Sequence, residues 1–209
     1  MDTIGGRNFN FWTVRQVKEY VNRNQSDSTA KKVVELISGL LLAACLHKST
    51  NIEYCIGLPL KEVNPHARPE DGFSITELLS DSSLVDDTDI DIALANKDSL
   101  NTSLNLVQVA RVPALPNRSN AEDILIAILR KKCRVQKDDK LNLVINTQER
   151  LNLDIDKIRG VLNELSVPFA NILIVGKVNE NKDLFQLVEI WPEVIESQIF
   201  SINNLWIGL

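Results

Sequence analysis

The stretch "DDTDIDIALANKDSLNTSLNLVQVARVPALPNRS", residues 86–119, decides how the chain is read. It opens on Asp86, Asp87, Asp89 and Asp91, the last two alternating with Ile90 and Ile92. Side chains alternate faces along a strand. "TDIDIALA" therefore predicts a strand with Asp89 and Asp91 on one side and Ile90, Ile92 and Leu94 on the other. "NKDSLNTS" is a polar connector, and "SLNLVQVARV" predicts a second strand carrying Gln108 and Arg111. The pair reads as a hairpin. Carboxylates on a non-core strand face, beside a glutamine carbonyl, are oxygen ligands that a hard cation such as Mg²⁺ takes, with water and phosphate completing the shell.

Upstream, "TVRQVKEYVNRN" spaces Val14, Val17 and Val21 as one helical face, with Thr13 as N-cap. "SDSTAKKVVELISGLLLAACLHK" predicts a longer helix, capped near Ser28 or Thr29 and ending near Lys48. Past Leu36 it is apolar nearly all round, which suits a central position. "NIEYCIGLPL" predicts a strand ending before Pro59. Residues 61–87 are irregular, with one helical turn expected at "SITELLSD".

Downstream, Ser119 or Asn120 caps the helix "AEDILIAILRKKCR", which has acids in its first turn and bases in its last, as the helix dipole favours. "KLNLVINT" is a strand. "DIDKIRGVLNEL" is an amphipathic helix with Ile155, Ile158, Val161, Leu162 and Leu165 on one face. "FANILIVGKV" and "LFQLVEIWP" are closing strands joined by the turn-like "NENKD", and the tail suits a last helix and a cover strand. The expectation is one α/β (α+β) domain over residues 1–209. It has a mixed central sheet flanked by helices, N-terminal helices at about 11–48 and a C-terminal extension after about 168.

Composition bounds the function. The chain has 209 residues, 44% hydrophobic and 24% charged, enough for a well-filled core. Its 28 acids against 23 bases give a net charge of −5, which argues against a surface tuned throughout for nucleic acid but leaves room for a local basic groove. Cys45, Cys55 and Cys133 show no CxxC spacing and read as reduced thiols of a cytoplasmic protein. "MDTIGGRNFNFW" lacks a signal-peptide pattern, and the apolar run 36–46 is too short to span a bilayer, so no membrane partner is expected.

The succession of helix, strand, acidic strand, polar-tipped strand, helix and strand over about residues 29–146 resembles the core of the PD-(D/E)XK nuclease superfamily, the restriction-endonuclease-like fold. In that family an Asp at the start of the second strand and a D/E-x-K on the third bind metal and activate water. The resemblance implies Asp91, in "DIAL", as metal ligand, with Asp89 or Gln108, in "LVQVAR", as the second. Glu35, in "KKVVELISG", would be a helix-borne assisting acid. Ala110 stands where the motif has Lys, and Arg111 follows one residue later. Arg stays charged at neutral pH and transfers protons poorly, so a bulge re-aiming Arg111, or a lysine such as Lys97 or Lys131, would have to compensate.

Each residue also has a plainer reading. Asp89 and Asp91 suit a solvated strand edge, Gln108 a partly exposed strand position, and Glu35 a helix-surface acid near Lys31 and Lys32. The "RKKCR" run at 130–134 could touch phosphates or could only complement its own helix dipole. No Walker or GxGxxG loop occurs, and His47 and His66 have no triad context. Two functions follow: a Mg²⁺-dependent nuclease acting on nucleic acid, or an inactive relative serving as a scaffold for a protein partner or homodimer.

Overall fold

Thr13 closes one element and opens the next. It ends β1 (Gly6–Thr13) and caps α1 (Val14–Arg23). Its hydroxyl accepts from the Gln16 N–H at 3.3 Å, while its own N–H donates to Gln16 Oε1 at 2.9 Å. These reciprocal bonds satisfy donors that a helix start leaves open. The computed structural model describes residues 6–24, 31–59, 73–78, 90–99, 104–112, 121–136, 141–147, 153–178, 184–193, 195–202 and 204. The chain divides into two compact units, Met1–Gln108 and Val109–Leu209, with β5 (Asn105–Arg111) running through the division.

The first unit also holds α2 (Lys31–Thr50), β2 (Tyr54–Pro59), β3 (Phe73–Leu78) and β4 (Ile92–Asn96). Its strands lie in the order β3-β1-β2-β4-β5, and each neighbouring pair is antiparallel. Every residue of α2 from Val33 to Ala44 is buried, as its all-round apolar sequence requires. A Cβ on Gly39 would sit 3.1 Å from Ile56 Cγ2 and 3.2 Å from Ile92 Cδ1, so at this glycine α2 lies directly on β2 and β4. A Cβ on Gly57 would meet the Phe11 ring at 2.6 Å, which is why that position of β2 carries no side chain. By length and apolarity α2 could also cross a membrane (mean hydropathy 1.4), but 67% of that stretch is buried inside the protein.

The second unit comprises α3 (Ala121–Val135), β6 (Asn142–Asn146), α4 (Ile155–Asn163), β7 (Asn171–Lys177), β8 (Leu184–Trp191) and β9 (Ile195–Ser201). α4 connects the parallel pair β6 and β7, as a crossover must, and β7, β8 and β9 continue antiparallel. Asp154 caps α4 by accepting from the Lys157 N–H at 3.0 Å, and Ile158 and Leu162 bury its apolar face. Where β6 and β7 start, Asn171 Nδ2 donates to Asn142 Oδ1 at 2.8 Å, giving both amides a partner.

The mixed α/β class is as the sequence implies. Four strands differ from the expectation; one is β4, which starts at Ile92, so Asp91 precedes it instead of alternating within it. Phe73–Leu78 is a strand, not the helical turn expected at "SITELLSD", because Phe73–Ser74–Ile75–Thr76 alternates with period two and finds a partner in β1. β1 itself was not expected, although "NFNF" alternates in the same way. β2 includes Pro59 rather than stopping before it. In the tail β9 is the cover strand, and residues 205–209 lie outside the described ones.

Candidate functional site: a buried acid with two lysines

The site grows from the first turns of α2. Lys31, Lys32 and Glu35 stand at i, i+1 and i+4, so both lysines reach the acid along the helix surface. Lys32 Nζ lies 2.9 Å from Glu35 Oε2 and Lys31 Nζ lies 3.4 Å from Oε1. Glu35 is only 1% exposed. It is therefore a core acid rather than the surface acid of the plainer reading. Burial pushes its carboxyl above the ordinary glutamate range, against the pull of the Lys32 bond. The charge of Asp91 pushes in the same upward direction.

Asp91 immediately precedes β4. Its N–H donates to Val107 O at 3.0 Å, one residue out of step with the ladder that pairs Ile92 with Val107. Regular alternation stops there, and the carboxylate reaches Lys31, with Oδ1 3.7 Å from Nζ. Asp91 is 13% exposed and Lys31 59% exposed, so the cluster opens to solvent through Lys31. One ammonium thus stands between two carboxylates, and a second holds the deeper one.

The lysines oppose their helix. α2 has no acid in its first turn, where the dipole favours negative charge, and Lys-before-Glu is the weaker order for a helical pair. Helix stability does not ask for bases here. That inversion was the sequence signal for Lys31 and Lys32 as members of the site.

The other expected residues are placed differently. Ile92 leans on α2 at Gly39, and Val107, its ladder partner, shares that face. In a regular pleat Gln108 and Ala110 then take the opposite face. Gln108 is 2% exposed, and its Oε1 is buried with no hydrogen-bond partner. Arg111 falls in the second unit and shares the strand face of Val109, not that of Gln108. Asp89 lies outside the described residues. Lys97 is engaged with Glu53, and Lys131 belongs to the second unit, so neither is seen replacing the motif lysine. His47 Nδ1 lies 3.0 Å from Ile52 O, a local bond at the end of α2.

Glu35 and Asp91 fit a hard divalent ion by donor type, since such ions are held by one or two carboxylates with waters and phosphate. The two lysines would have to give up those oxygens to it. Among the described residues no three His, Cys, Asp or Glu side chains converge on a common point. Comparison with protein-family models, curated proteins and solved structures returned no match.

Proposed function

We propose that the chain is a nuclease-related protein of restriction-endonuclease-like descent, with Glu35, Asp91 and Lys31 as its working groups. One observation carries this reading: Lys31 Nζ stands within 4 Å of both carboxylates, 3.4 Å from Glu35 and 3.7 Å from Asp91. The strand motif lacks its lysine at Ala110, and α2 supplies a lysine to Asp91 and to the helix-borne Glu35. The element order α2, β2, β4, β5, α3, β6 supports the family resemblance, with β3 as an insertion.

In this reading Glu35 and Asp91 would hold Mg²⁺, which when bound supplies Lewis-acid polarisation and an acidified water. Lys31 is the exposed cation, able to follow charge that develops on a phosphate oxygen. Glu35, whose carboxyl burial raises, would have to give up its proton to hold the ion, so metal binding would be weaker in acid.

A second reading, an inactive scaffold with a protein partner, has its own support. Two acids facing two lysines are already balanced, and a balanced cluster is a sound structural device. Plasmid nicking and single-stranded RNA cleavage in Mg²⁺ or Mn²⁺ separate the two, run on wild type, Asp91→Ala and Lys31→Met. The nuclease reading expects turnover in wild type and a loss of roughly a hundredfold in each folded variant. No turnover and no calorimetric metal binding at millimolar ion would leave the scaffold reading.

A further inference from the structure

The second unit carries a groove of about 820 Å³ along α3, lined by Ile126, Ala127, Arg130, Lys131, Arg134 and Leu165 among others. The lining positions on α3 recur at helical spacing, so they form one stripe, and the segment after α4 closes the far side through Leu165 and Ser166. Arg130, Lys131 and Arg134 are exposed, and none has an ion pair among the described residues.

The helix dipole accounts for only part of this. Its influence falls off within the last turn, where Lys132 and Arg134 stand; Arg130 and Lys131 precede that turn. Arg130 and Arg134 are also like charges at i and i+4, an arrangement that costs an isolated helix stability. Asp123, the acid in the groove wall, shares Lys157 with Glu122, at 3.5 Å against 3.1 Å, and at most offsets one of the three bases. In a chain of net charge −5, this is a groove whose lining, three bases against Asp123, is net positive.

We propose that the α3 groove binds the phosphodiester backbone of a single-stranded nucleic acid. Arg130 and Arg134 are separated by one helical turn, roughly 6 Å of rise, and so face successive anions rather than one. Ile126, Ala127 and Leu165 give the groove a mostly apolar lining, and Arg130, Lys131 and Arg134 stand along it. A partner that repeats anions along its length and carries flat, stackable bases answers both features. Arginine also stacks its guanidinium plane on splayed bases, which a single strand presents and a duplex hides. The site stands whether or not Glu35 and Asp91 carry chemistry, because none of its groups belongs to that cluster.

The test is fluorescence anisotropy of a labelled single-stranded 20-mer, as DNA and as RNA, with full-length protein in EDTA. It compares wild type, R130Q/K131Q/R134Q, and R15Q/K18Q/R23Q, which removes the same charge from α1. Three phosphate contacts on a single strand predict affinity falling roughly 20-fold between 50 and 200 mM salt. The groove variant is expected to lose at least about tenfold at low salt and most of that salt dependence, while the α1 variant stays near wild type. Equal loss in both triple variants, or no binding by wild type at 50 mM salt, overturns the proposal. So does polyglutamate that competes as well as the oligonucleotide, since the groove would then be a seat for acidic peptides. Binding unchanged in Asp91→Ala, even where nicking is absent, keeps this result apart from the nuclease reading.

Discussion

α2 and α3 carry charge in opposite ways. On α2 the charges are drawn inward: Glu35 is buried, each of its oxygens has a lysine, and Asp91, just before β4, joins the set. On α3 they are left outside: Arg130, Lys131 and Arg134 line a groove whose one acid, Asp123, pairs with none of them among the described residues. α3 follows the dipole, with Glu122 and Asp123 in its first turn, whereas α2 begins on two bases. The difference teaches where each cluster finds its partners. A buried charge must be answered within the protein or give way to its neutral form, because desolvation penalises it. An exposed, unanswered set needs nothing from the protein, so its use lies in what it meets.

The largest expected effect breaks the α2 cluster from one side. Lys32→Met leaves Glu35 buried with only the longer Lys31 contact, and removing one partner of a buried pair costs about 3 kcal/mol. The double variant Lys32→Met/Glu35→Met removes both charges. Denaturant unfolding should return it to within about 1 kcal/mol of wild type, since apolar replacements of a buried pair are often neutral. A single variant as stable as wild type would mean that Glu35 is satisfied elsewhere. The contrast with α3 would then lose its inner half.

A smaller effect follows from the protonation of Glu35. Its folded carboxyl is raised above the ordinary value by burial, so the folded state holds its proton more tightly than the unfolded chain does. The stability this group contributes is fully present below the unfolded glutamate value and fades as pH rises through the folded one. Glu35→Gln, which mimics the protonated form, should match wild type in acid and overtake it toward neutral pH. Thermal melts of both proteins at several pH values would show the curves separating. Curves that stay parallel would mean that the two lysines fully offset the burial.

Much of this was legible in the sequence, for reasons that can be given residue by residue. The strand at Ile92–Asn96, the central apolar helix and the αβ succession after Val109 rest on local periodicity, which the chain expresses openly, whereas Asp91 lies before that strand and not in it. β1 and β3 were missed because their partners are remote: β3 pairs with β1, Phe9 against Ile75 and Phe11 against Phe73, across more than sixty residues, and β1 also pairs with the distant β2. Glu35 and Asp91 were both picked out, but their meeting through Lys31 was not. It depends on the ladder falling out of step at Asp91, where the N–H reaches Val107 O. Gln108 was assigned by spacing to its neighbour in the motif, and the pleat turns it toward the face opposite α2. The inverted charge order of "KKVVE" was readable throughout, and only burial gives it meaning.

The smallest expected effect tests the outer half of the contrast. R130Q/K131Q/R134Q removes a base from the last turn of α3, which loses a favourable dipole interaction of about 0.3–1 kcal/mol. It also relieves the repulsion between Arg130 and Arg134, worth a few tenths of a kcal/mol in the other direction. Glutamine is nearly as good a helix former as either base, so propensity adds little. The terms nearly cancel, and a melt of the variant should lie within about 2 °C of wild type. A drop much beyond that would mean the three bases hold α3 in place, and the two helices would then differ in the depth of their charges but not in their purpose. A variant that melts like wild type and no longer binds the single strand is the outcome that keeps the helices distinct: charge on α2 that the fold has enclosed, charge on α3 that it has left for a ligand.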